Sequence, residues 1–277
     1  MTLSINTNIA ATRASKYLAA NHQNLQKSLD RLSSGKRITT ASDDAGGLAV
    51  SMKLEHSING LKGTANGISN GISMLQVMDG VLASAADIMA RIGELKSMHS
   101  DVTKSSTDQA AYNNEAKDLI AQLNILQAST DFNDIQLFDG GTSKTVNLDA
   151  NGTSKLTVDS TNFVNDNTDA PKAKLIAAIT NGSLDNTNMT STNITTALGE
   201  IATLRAKNGG QVKRLEYALA DVNNQITNLT AANGRIMDVD IAEESAALAR
   251  HQILVQASAS MVAQANSANN VALQLLQ

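Results

Sequence analysis

An apolar residue recurs every third or fourth position over long stretches toward both ends of this chain, but not through its middle. The cleanest run is Leu54, Ile58, Leu61, Ala65, Ile68, Ile72 and Leu75, in alternating steps of four and three. From Met74 a neighbouring stripe continues as Met78, Val81, Ala85, Ile88, Ile92 and Leu95. This rhythm keeps one face of an α-helix apolar, and two adjoining stripes face more than one partner helix. A helix over 44–99 would run about 80 Å at ~1.5 Å per residue, longer than an ordinary domain is wide, so it points to a rod.

The rhythm appears elsewhere. Leu18, Leu25 and Leu32 recur every seventh residue, with Leu29 between the last two. Tyr112, Ala116, Leu119, Leu123 and Leu126 mark a third helix; Val212, Leu215, Leu219, Val222, Ile226 and Leu229 mark another. The last segment carries two stripes: Ile241, Leu248, Val255 and Val262, and beside them Leu254, Met261, Ala268 and Leu275. An apolar stripe in water must be covered. The simplest cover folds the C-terminal helices back along the N-terminal ones, with the polar middle at the far end.

Local chemistry sets the boundaries. Ser33-Ser34-Gly35 is a helix stop, and Ser42-Asp43-Asp44 a start whose oxygens cap free N–H groups. Gly209-Gly210 are placed to bend the helix that follows. Residues 140–196 are rich in Thr, Asn, Asp, Ser and Gly. Within them Thr145–Asp149 and Lys155–Asp159 alternate polar and apolar around Asn151-Gly152, which predicts a β-hairpin. Lys172–Thr180 reads as a short helix, and the rest as a polar surface insert.

Composition agrees with long helices packed side by side. Pro171 is the single proline, aromatics are 2%, and the apolar 42% is mostly Ala, Leu, Ile, Val and Met. Absence of Cys excludes disulfides, thiolate metal sites and Cys nucleophiles. A net charge of −4 argues against a nucleic-acid binder. No apolar run approaches the roughly 18 residues of a membrane span, so no membrane insertion is expected. The start, MTLSINTNIA, lacks the basic and apolar regions of a secretory signal.

No catalytic, cofactor or metal constellation emerges. Asp43 and Asp44, like Asp238 and Asp240, read as helix caps, because no His or third carboxylate has suitable spacing. His22, His56, His99 and His251 are scattered, and none begins an H-E-x-x-H zinc motif. Gly60, Gly63, Gly67 and Gly71 lack the Lys-Ser or Lys-Thr of a phosphate loop, so close helix packing is the better reading. An enzyme is therefore not expected.

Several motifs carry a resemblance. SINTNIAATRA and NLQKSLDRLSSGKRITTASDDAGGLAV resemble the N-terminal signature of bacterial flagellins. TDFNDIQLFDG resembles the segment closing that family's third helix, and the stretch from ITNLTAANGRIMDVDIAEESAALARHQ to the end resembles its C-terminus. The likeness covers roughly 3–140 and 197–277. DDAGG stands for the common DDAAG, Ala268 for a usual Pro, Gln277 for a basic residue, and FND for FNG; none removes an apolar heptad position.

The resemblance implies a mainly α fold of long antiparallel helices, with discontinuous domains built from both chain ends. A terminal coiled-coil domain would comprise 1–43 and 237–277, a helical rod 44–140 and 197–236, and a short variable insert 141–196. It implies a structural subunit of the flagellar filament, reaching the cell exterior through the flagellum's own export apparatus. Partners would be further copies of itself, cap and hook-associated junction proteins, and a cytoplasmic export chaperone. A hook–filament junction protein and a secreted coiled-coil adhesin are the alternatives. Both termini would be disordered in the monomer and order on assembly along seams at Leu18, Leu25, Leu29, Leu32, Ile241, Leu248, Leu254, Val255, Met261, Val262 and Leu275. Ordering costs about 1–2 kcal/mol per residue, more than sparse Leu and Ile among Ala, Ser, Asn and Gln can offset. Finally, Arg91, Ile92, Glu94, Leu95 and Glu115 resemble the patch by which an animal Toll-like receptor recognises flagellins, with Gly93 where Arg is common. The Ser/Thr-rich insert reads as a soluble polar loop, with O-linked glycans as the family's alternative; Asn151-Gly-Thr and Asn193-Ile-Thr are weak sequons.

Overall fold

The computed structural model describes residues 8–139, 143–158, 184–185 and 189–274. Five long helices and two short strand pairs follow in the order α1 (Ile9–Ser34), α2 (Ala45–His99), α3 (Ser106–Ala128), β1 (Asp131–Phe132), β2 (Ile135–Gln136), β3 (Lys144–Asn147), β4 (Lys155–Val158), α4 (Ser191–Met237) and α5 (Ile241–Gln274). The chain divides into two compact units, one of residues 1–58 and 227–277 and one of residues 59–226. The predicted helix over Lys172–Thr180 lies outside the described residues.

In the first unit α1 and α5 run antiparallel. The Asn8 side chain accepts from the Ala11 N–H and donates to the Ala265 carbonyl, while Arg31 at the other end pairs with Glu244. Gly35 ends α1 in the left-handed conformation expected of a stop signal (φ 69°). Asp240 starts α5, its Oδ1 accepting from the N–H groups of Ala242 and Glu243. The connectors meet in a backbone bridge: Arg37 N donates to Met237 O at 2.6 Å and Val239 N to Gly35 O at 3.1 Å. Asp44 caps α2 by accepting from Gly47 N. Asp43 turns away instead, to Lys27, Thr39 and Thr40.

In the second unit α2 presents one unbroken seam, not two stripes that hand over at Met74. Leu61, Ile68, Leu75, Leu82 and Met89 form one buried heptad column; Gly71, Met78, Ala85, Ile92 and His99 form the other. Leu82 and Met89 replace the expected Val81 and Ile88, which flank the seam half-buried. On α3, buried Ala116, Ile120 and Leu123 form the core face, with Leu119 and Leu126 at its edge. On α4 the column is Ile194, Ile201, Asn208, Leu215 and Val222. This helix runs unbroken through Gly209-Gly210, and it begins at Ser191, inside the expected insert.

The predicted hairpin is β3–β4, with Val146 opposite Leu156 and Lys144 opposite Val158. It is shorter than expected: Asp149 belongs to the loop, and Asp159 lies outside the described residues. The β1–β2 pair turns at Asn133-Asp134, both at positive φ, and delivers Leu137 and Phe138 to the core. The insert is not wholly a surface loop, because Leu184 and Met189 are buried. The apolar content of α2 is higher than its sequence runs suggest. α2 is long and apolar enough by composition to cross a membrane, because Ala, Gly and Met dilute its few charges; a third of that apolar window is buried inside the protein.

Candidate functional site

The seam of the first unit is thin. α1 turns Ala11, Ala14, Leu18, Asn21, Leu25, Ser28 and Leu32 inward; α5 turns Glu244, Leu248, His251, Val255, Ser258, Val262 and Ala265. Five of these fourteen positions are polar, and three more are alanine. Asn21 Nδ2 donates to Ser258 Oγ at 2.7 Å, so a polar pair occupies the middle of the interface. Nearly all of the large apolar residues there are only half-buried. Two buried atoms, Arg31 Nε and His251 Nδ1, find no hydrogen-bond partner among the described residues.

Of the expected assembly residues, Leu18, Leu25, Leu32, Leu248, Val255 and Val262 face the α1–α5 seam. Leu29, Ile241, Leu254 and Met261 do not, and Met261 is 64% exposed. The reason is geometric. Leu29 follows Ser28 and Leu254 precedes Val255, and a step of one residue turns a side chain by about 100° around the helix. With a single partner helix, only one stripe is covered. Leu254 and Met261 instead join Ile9 and Tyr17 along an open groove of about 450 Å³ with a largely apolar wall. Leu275 lies outside the described residues.

On the second unit, Arg91 is a hub. Its Nε and Nη2 donate to Glu115 Oε1 at 2.9 and 2.8 Å, and its Nη1 to Glu94 Oε2 at 2.8 Å. These acids, Glu115 foremost, hold the guanidinium above its ordinary pKa. All three side chains are open to solvent. Ile92 and Leu95 are corrected: neither has any exposure, Ile92 because it falls on an inward heptad column and Leu95 because it stands three residues on, at the buried edge of the same face. The surface at this place is charged, and its apolar members are unreachable from outside.

A second open groove, of about 750 Å³, lies between α2 and the β3–β4 hairpin and is floored by Gly60, Gly63, Gly67 and Gly71. Two of these glycines serve a close approach by the hairpin, not by a helix. A Cβ on Gly71 would stand 2.8 Å from Val146 Cγ2, and one on Gly60 3.1 Å from Ala150 Cβ. Among the described residues no group of three or more His, Cys, Asp or Glu could hold a metal ion. His99, which sequence reasoning left unassigned, is buried at the end of α2 beside Asp185 and Asn113.

Comparison with known proteins completes the picture. The family described as the bacterial flagellin N-terminal helical region matches residues 5–143, and the corresponding C-terminal helical region matches 191–276. A flagellin of Halalkalibacterium halodurans is 35% identical over 99% of both chains. The flagellar filament 33 kDa core protein of Treponema phagedenis and the flagellin of Bacillus subtilis are each 32% identical, again over 99% of both chains. The crystal structure of Bacillus cereus flagellin aligns at 22% identity with a TM-score of 0.48, covering 61% of this chain and 94% of that one.

Proposed function

The chain belongs to the bacterial flagellin family and is a structural subunit of the flagellar filament, and from that premise we infer how its ends drive assembly. The observation that carries the reading is the uncovered apolar flank of the first unit. Ile9, Tyr17, Leu254 and Met261 share one open groove beside a seam whose own interior is more than a third polar. Two helices with this little buried area cannot offset the conformational entropy of their sixty ordered residues, at about 1–2 kcal/mol each. Neighbouring copies supply the missing surface, so ordering of the ends and polymerisation are one process. Head-to-tail contacts that do not close on themselves then give an open helical polymer.

The flank is tested by Leu254→Asp and Met261→Asp. Each should abolish seeded polymerisation while leaving the melting of the second unit unchanged. Polymerisation at the parental rate would refute the reading. Location along the whole filament, not at its base alone, separates a filament subunit from a hook–filament junction protein.

The finer partners follow the family. Cap and junction proteins would meet the ends of the polymer, and an export chaperone would cover the C-terminal stripe before secretion through the flagellar export apparatus. Recognition by an animal Toll-like receptor would rest on Arg91, Glu94 and Glu115 alone, given the burial of Ile92 and Leu95. Undiminished receptor activation by Arg91→Ala would remove that claim.

A further inference from the structure

Asn151-Gly152 is one of seven Asn-Gly pairs in the chain, the others beginning at Asn59, Asn66, Asn70, Asn181, Asn208 and Asn233. An Asn side chain followed by Gly is chemically labile, because no Cβ on the following residue shields its amide nitrogen from the side-chain carbonyl carbon. Lability becomes reaction only where the backbone can rotate to bring those two atoms together. Asn59, Asn66 and Asn70 lie inside α2, and Asn208 and Asn233 inside α4, where the ladder of backbone hydrogen bonds fixes that rotation. Asn181 lies outside the described residues.

Asn151 differs from the helical pairs. It is exposed in the loop between β3 and β4. Gly152, at φ +68°, donates its N–H to Asp149 O at a long 3.3 Å, with the Asp149 carboxylate as a further, weaker neighbour. The next two amides, Thr153 and Ser154, are held more tightly, by the Asp149 carboxylate at 2.8 and 3.0 Å, so of the three the Gly152 amide is the most loosely held. The space around Gly152 is open, since an added Cβ there would meet only the Asn147 side chain, at 3.9 Å.

We propose that Asn151 is a site of spontaneous deamidation in the folded protein. The Gly152 amide nitrogen, on losing its proton to solvent base, forms a bond to Asn151 Cγ. The Cγ–Nδ2 bond breaks and the nitrogen leaves as ammonia, closing a five-membered imide. Water then adds across one of the two imide C–N bonds, giving aspartate or isoaspartate. The net change is one water consumed and one ammonia released, with no redox step. The product places a second carboxylate in a loop already organised by Asp149, and in the isoaspartate form lengthens the backbone at the turn.

The test is peptide mapping by mass spectrometry of the folded full chain, held in warm, mildly alkaline buffer and sampled over time. Asn151, in the tryptic peptide 145–155, should convert about tenfold or more faster than any of the five helical pairs, because a loop opens at lower free energy than a helix interior. In the urea-unfolded chain the pairs should converge on similar rates. Asn151→Gln should remove the amide-to-acid mass gain from that peptide, since the longer side chain closes a five-membered ring no longer. Conversion of Asn151 no faster than the helical pairs, or persistence of the mass gain in Asn151→Gln, would overturn the proposal.

Discussion

Asn208 reaches across from α4 and donates its Nδ2 to the main-chain carbonyl of Leu75 on α2 at 2.7 Å. It stands in a heptad column otherwise made of Ile194, Ile201, Leu215 and Val222, is 5% exposed, and leaves its Oδ1 without a partner. One polar side chain in an apolar seam fixes register at some cost in stability. Leu75 O also serves the α2 ladder, so losing Asn208 orphans nothing on α2. Asn208→Leu should therefore change stability by no more than ~1 kcal/mol in either direction, and Asn208→Ala should lose about 1–3 kcal/mol to the cavity it leaves. Urea denaturation followed by circular dichroism measures both.

The α2 glycines should split in their response to alanine. Ala is favoured over Gly in a helix interior by about 1 kcal/mol, which acts wherever space is open. Gly63 and Gly67 have nothing within 4 Å of an added Cβ, so both Ala variants should be stabilised by up to that amount. At Gly71 the Cβ would meet Val146 at 2.8 Å and Leu215 at 3.3 Å. Val146 is β-branched and cannot swing away cheaply. Gly71→Ala should destabilise by about 1–2 kcal/mol, with Val146→Ala rescuing part of the loss in the double variant. A uniform gain across all three glycines in thermal melts would show that the hairpin is not seated on α2.

Much of this architecture is legible in heptads, because a period of three and four is a direct statement of which face of a helix is covered. The end of α1 at Gly35, the start of α2 after Asp44 and the pairing of β3 with β4 follow from cap residues and alternation. Leu82 and Met89 were missed for a physical reason. Between residues 78 and 95 apolar side chains occupy eleven of eighteen positions, so the sequence fits two registers, and only the partner helix chooses one. Leu254 and Met261 show the complementary limit: periodicity marks a stripe as apolar but does not say whether its cover comes from the same chain. Leu184 and Met189 were hidden by their polar surroundings, and their burial depends on contacts such as Leu184 N to Asn113 Oδ1 that join distant segments. The inward turn of Ile92 and Leu95 could have been read from their place on the α2 stripe.

The Lys27–Asp43 pair gives the first unit a pH dependence of known sign. The Lys27 ammonium, 2.6 Å away, holds the Asp43 carboxyl well below the usual carboxylate range, with Thr39 adding to the effect. A carboxyl whose pKa is depressed by folding favours the folded state above its ordinary pKa of about 3.9, and that contribution fades as pH falls through the lowered value. Asp43→Asn should therefore lower the thermal depolymerisation midpoint of filaments at neutral pH. The gap from the parent should close progressively below about pH 4. Light scattering across that range checks it, and a gap independent of pH would sink the assignment.

The polar pair at the centre of the α1–α5 seam offers the most direct handle on coupled folding. Asn21 and Ser258 sit where Leu18, Leu25, Val255 and Val262 would otherwise make a continuous apolar core. Replacing both partners of a hydrogen bond by apolar groups avoids an orphaned donor, and each methylene newly buried adds about 0.8 kcal/mol. The double variant Asn21→Leu, Ser258→Ala should shift the terminal helices toward self-sufficiency. Hydrogen exchange on the dilute monomer should then show protection in 9–34 and 241–274, where the parent should show little. The same monomer should polymerise with a shorter lag, because part of the ordering entropy is lost before subunits meet. Protection in the parent equal to that of the double variant would mean that the ends fold without neighbours, and the lattice would then be joining rigid blocks.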